Sequence, residues 1–127
     1  MKKIQLHQFD PEIYPFKLWI SVTEDINKVV SENFVDGDSQ GEITYTNTDG
    51  FKAITQKVRQ KNGDCFVGAV IVFRKKKYMT VGTMAHEASH AAKFLFDHIG
   101  ADVTAHEPFE YLLGWMADCI NKVRLNK

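Results

Sequence analysis

The chain of 127 residues is 44% hydrophobic and 25% charged, the proportions of one globular domain, which excludes a disordered, collagen-like or mucin-like chain. Sixteen basic residues balance sixteen acidic ones, so no net field draws the chain to nucleic acid or to an anionic membrane, and neither is an expected partner. The longest apolar stretch, Phe66 to Phe73, is far too short to cross a bilayer, and no apolar leader follows Lys2 and Lys3. With Cys65 and Cys119 alone no disulfide framework is indicated, and the expectation is a cytoplasmic chain.

In chain order, residues 2–7 alternate weakly, and Pro11 and Pro15 bracket a turn before a strand over 16–22, with Phe16, Leu18 and Ile20 at period two. Thr23 is placed to cap a short helix whose apolar residues are Ile26, Val29, Val30 and Phe34. Three strands then follow, over 42–47, 51–59 and 64–73, joined by Asp49-Gly50 and Asn62-Gly63, pairs that tolerate the positive φ of tight hairpins. This predicts an antiparallel meander. Its last strand is apolar on both faces and is expected to be covered on both.

The second half reads as helix. Thr80 caps a helix that ends at Gly100, with a core stripe of Val81, Met84/Ala85, Ala88, Ala92, Leu95/Phe96 and Ile99. A final helix starts near 104–108, where Thr104 and Glu107 have capping-box spacing. It runs to about Val123, burying Phe109, Leu112, Leu113, Met116 and Ile120. The expected fold is α+β, an antiparallel sheet packed on two long helices and a short one, as a single domain over residues 1–127.

One motif carries chemistry: His86-Glu87-Ala88-Ser89-His90, an H-E-x-x-H on the first long helix. Histidines at i and i+4 project from one face a turn apart, so their ring nitrogens can converge on one tetrahedral ion. Glu87, rotated about 100° from His86, stands beside the ion's open position, where a carboxylate can take a proton from water. A catalytic zinc needs a third protein ligand. His98, Asp102, His106, Glu107, Glu110 and Asp118 lie downstream; His98 is two turns from His90 and out of reach. Glu107 and Glu110, 17 and 20 residues after His90, start the last helix. Glu107, Tyr111, Gly114 and Asp118 form one stripe, and Gly114 would let that face approach the histidine helix, which favours Glu107 and keeps Glu110 as the alternative. Tyr111 has two readings, a group that orients a ligand or stabilises an oxyanion, and a core tyrosine. Arg74-Lys75-Lys76-Lys77 reads as a solvated turn that blocks edge pairing.

The H-E-x-x-H followed by a helix that opens on a carboxylate resembles the gluzincin zinc metallopeptidases. With Glu107-Pro108-Phe109-Glu110-Tyr111-Leu112-Leu113-Gly114 it resembles in particular the small minimal-gluzincin proteins of phages and mobile elements. The resemblance covers residues 79–118. It maps the ligand glutamate of those small proteins to Glu107 and their tyrosine to Tyr111, whereas a thermolysin-like spacing picks Glu110. It implies a Zn2+-dependent hydrolase of peptide bonds with His86, His90 and Glu107 on the metal and Glu87 as base. The peptide or protein substrate would lie along an edge strand, expected to be 64–73. The alternative is a non-catalytic phage or mobile-element protein that binds partners and retains the metallopeptidase scaffold.

Overall fold

The computed structural model describes residues 4–104 and 106–126. It is α+β. Strands β1 (His7–Phe9), β2 (Lys17–Val22), β3 (Phe34–Asp36), β4 (Ala53–Gln60) and β5 (Val67–Phe73) form one sheet. Helix α1 (Ile26–Asn33) follows β2, and α2 (Val81–Ile99) and α3 (His106–Leu125) complete the chain. The spatial order is β1-β2-β5-β4-β3.

The sheet is mixed, which corrects the purely antiparallel expectation. β3, β4 and β5 do form an antiparallel meander, but β2 runs parallel to β5, with Leu18 opposite Ala69 and Ile20 opposite Ile71. All seven residues of β5 are buried, because the strand is central and covered on both faces. It is therefore not an edge strand. Residues 42–47 form no strand: Ser31 donates its hydroxyl to the Ile43 carbonyl, and the Asn27 amide group bonds both the N–H and the C=O of Tyr45, so side chains of α1 hold this segment. Asp49-Gly50 accordingly closes a single 3-10 turn rather than a hairpin.

Alternation along the strands builds two cores. Leu18, Ile20, Ala69, Ile71 and Phe73 face α2 and α3, while Trp19, Val70, Val72 and Val58 face α1 and Phe34. β2 and β5 come unusually close at Gly68, where a Cβ would overlap the Lys17 carbonyl and stand 2.6 Å from the Trp19 ring.

Helix ends follow local chemistry. The cap of α1 is Asp25, whose carboxylate accepts from the Lys28 N–H at 3.3 Å; Thr23 instead accepts from the Asp25 N–H one step upstream. Thr80 caps α2 as expected, accepting from the Thr83 N–H at 3.3 Å. Gly100 ends it at φ 73°, its N–H on the Asp97 carbonyl and that of Ala101 on Phe96, a Schellman closure. Val81 at the start of the expected stripe is exposed, and Ala91 and Glu87 are buried in its place. On α3 the fully inward residues are Leu112, Met116, Cys119, Ile120 and Val123. Thr104 donates its hydroxyl to Asp102 at 2.7 Å and so is engaged in a turn rather than with Glu107. No helix among the described residues is long and apolar enough to cross a membrane.

Candidate metal centre

α2 lays its alanine-rich flank on β4, β5 and α3, which leaves the opposite flank to solvent. His86 and His90 project from that open flank, both exposed, and their Nε2 atoms stand 3.1 Å apart. Two imidazole lone pairs cannot face each other at this separation unless a proton or a cation lies between them. Two nitrogens on one tetrahedral zinc, each at its usual bond length, stand about 3.3 Å apart. The spacing therefore fits two adjacent positions on such an ion.

Glu87 lies between this pair and the sheet and is 6% exposed. Its Oε1 accepts a 2.7 Å hydrogen bond from the Thr55 hydroxyl on β4, and its Oε2 stands 3.9 Å from Nε2 of His86. A carboxylate can only accept, so the hydroxyl proton is committed to Glu87, and one oxygen is tethered while the other faces the histidines. Beside them opens a cleft of about 410 Å³ lined by Gly50, Lys52, Ala53, Gly82, Thr83, His86 and Glu87. Thr55 is a site residue that the sequence analysis missed. Its signal was parity: Ala53, Thr55 and Lys57 share a face of β4, but only the register shows that this face meets α2.

The carboxylates expected to close the shell are not with the pair. α2 and α3 run antiparallel: Phe96 meets Phe109 at one end, with ring centroids 5.3 Å apart, and Lys76 Nζ meets the Asn126 carbonyl at the other. At 1.5 Å per residue, Glu107 is displaced from His90 by about 12 Å along the helix axis and Glu110 by about 8 Å. The stripe Glu107, Tyr111, Gly114 and Asp118 is exposed throughout, and a Cβ on Gly114 would meet nothing within 4 Å. The close approach expected of this face is therefore absent, because the packing stripe of α3 lies on its opposite side. Tyr111, 75% exposed, is neither a core residue nor a neighbour of the histidines, and lines a different cleft. Among the described residues, no group of three His, Cys, Asp or Glu side chains gathers as a metal site. The residues present thus fit two protein positions of a zinc shell and the adjacent base, but not the third protein position.

His98, an exposed residue, packs its ring on Phe16, with centroids 5.6 Å apart, and the partial desolvation there together with the Lys57 and Arg59 charges pulls its pKa below the usual imidazole value. Arg74 of the basic run bonds the Asp49 and Phe51 carbonyls and pairs with Glu24. No family model, curated protein or solved structure compared with the chain matches it.

Proposed function

We propose that this chain is a zinc-dependent hydrolase of peptide bonds. The reading is carried by one observation, the convergence of the His86 and His90 ring nitrogens beside a buried carboxylate tethered on one oxygen. Zinc bound there would lower the pKa of water to about 7 and polarise a carbonyl. Glu87 Oε2 accepts the proton of the attacking water and returns it to the leaving amine, while Thr55 holds Oε1 so that the second oxygen keeps its direction. Neither Glu107 nor Glu110 fills the third protein position as it stands; Glu107, with Glu110 as its alternative, would take it only if the first turn of α3 came to the pair when the ion binds.

The strand for an extended substrate is β4 rather than β5. The β3 ladder covers β4 only from Val58 onward. The Gly37 N–H bonds the Lys57 carbonyl, so the odd-numbered residues of β4 turn their backbone groups outward. The outward N–H and C=O of Ala53 and Thr55 have no strand beside them among the described residues, and Ala53 lines the cleft that holds His86 and Glu87. A peptide added there is held by main-chain bonds with its backbone next to the base.

The displacement of Glu107 and Glu110 favours a second reading, a partner-binding protein that keeps the helix and has no turnover. Zinc content and cleavage of a mixed peptide library separate the two. The hydrolase reading expects cleavage by the wild type, and Glu87→Gln should keep the metal and lose cleavage. Zinc without cleavage in either protein supports the partner-binding reading.

A further inference from the structure

On the flank of α3 away from α2 lies a cleft of about 590 Å³, closed on its other side by residues 10–14. It shares no lining residue with the cleft beside His86. Its floor is Leu112, and its walls are the rings of Tyr14, Tyr111 and Trp115 with those of Pro11 and Pro108. Ile13 at the rim is 81% exposed and Tyr111 is 75% exposed, an apolar surface left open to water. Tyr14 is held from behind, its ring set edge-on against Phe96.

Two features say what would fill it. Within the described residues, the Trp and Tyr side-chain donors used internally are Trp19, on Gln8, and Tyr45, on Gln56. Tyr14, Tyr111 and Trp115 therefore keep their donors for an occupant that brings carbonyl acceptors. The rim is also acidic. Glu12 lines the cleft without an ion pair among the described residues, and Asp10, also in its lining, takes the nearby Lys17. A polyproline II segment leaves all its carbonyls free, offers flat pyrrolidine rings to aromatic walls and loses little entropy on binding.

We propose that this groove binds a proline-rich, basic segment of another protein in extended polyproline II form, with prolines between the Tyr111, Trp115 and Tyr14 rings and a flanking Arg or Lys on Glu12. The test is calorimetric titration of the full chain with a synthetic polyproline peptide carrying two arginines at one end. Tryptophan emission is followed in parallel, since Trp19 is fully buried and only Trp115 lines the groove. Saturable binding with an emission shift is expected. Tyr111→Ala, at an exposed position that should not disturb folding, weakens it about tenfold or more. Glu12→Gln weakens it several-fold and reduces its salt dependence. Replacing His86 and His90 leaves it unchanged. Four results would overturn the proposal: no saturable binding, equal affinity for a peptide with glycines in place of the prolines, wild-type affinity in Tyr111→Ala, or a concentration-dependent dimer that masks Trp115.

Discussion

Thr55 shows how much a single residue can decide at this site. Its hydroxyl is the only described side-chain donor to Glu87, whose carboxylate is buried, so Thr55→Val leaves an acceptor unpaired. That change should cost about 1–3 kcal/mol of stability, while Thr55→Ser restores it, as read by urea denaturation. His98 sets a pH dependence. Its folded pKa is depressed by partial desolvation against Phe16, then by Lys57 and Arg59, with Asp38 and Asp97 opposing. The unfolded chain therefore binds the extra proton first, and stability falls as pH drops through the ordinary imidazole value near 6.5. The loss in urea midpoint between pH 7.5 and 5.5 should be smaller in His98→Gln than in the wild type. The two thiols also differ. Cys119 is buried, with its pKa pushed up to about 11, whereas Cys65 is exposed. A thiol reagent at pH 8 should add one label to the folded chain and two to the unfolded chain, counted by mass spectrometry. His86, Glu87 and His90 were legible in the sequence because helical spacing alone brings them together. Thr55 was not, since it reaches Glu87 from 32 residues away.

Among the elements, the helices were the legible part. Their 3.6-residue apolar period, the Thr80 cap and Gly100 are local signals, and local geometry obeys them. Sheet order was not legible. The parallel pairing of β2 with β5 joins residues about 50 apart in sequence, and no turn signal encodes it. Residues 42–47 alternate like a strand, yet the hydrogen bonds from Asn27 and Ser31 claim their backbone first. The direction of the stripe that carries Glu107 was not legible for a related reason: a stripe read from spacing has no direction until the packing partner is known. The β2–β5 contact gives its own test. Gly68→Ala places a methyl group against the Lys17 backbone, which cannot give way as a flexible side chain would. It should destabilise the chain by about 1–3 kcal/mol or more, whereas Gly82→Ala, with open space around it, should not.

At the scale of the molecule, two clefts open on different faces. One lies between α2 and the free half of β4 and holds the histidine pair; the other lies between α3 and the 10–14 loop and holds aromatic rings. Zero net charge across the chain leaves recognition to these local features. The hydrolase reading depends on an ion beside His86 and His90 and on the first turn of α3 reaching it. The decisive measurement is zinc per chain by elemental mass spectrometry, on protein purified without a histidine tag and re-equilibrated with zinc. The wild type is compared with His86→Asn, Glu107→Ala and Glu110→Ala. About one zinc per chain is expected, lost in His86→Asn and in Glu107→Ala. Retention in Glu107→Ala with loss in Glu110→Ala would move the ligand and keep the class. A wild type that holds no zinc after re-equilibration would contradict the metal centre, leaving the 3.1 Å contact between His86 and His90 as a shared proton.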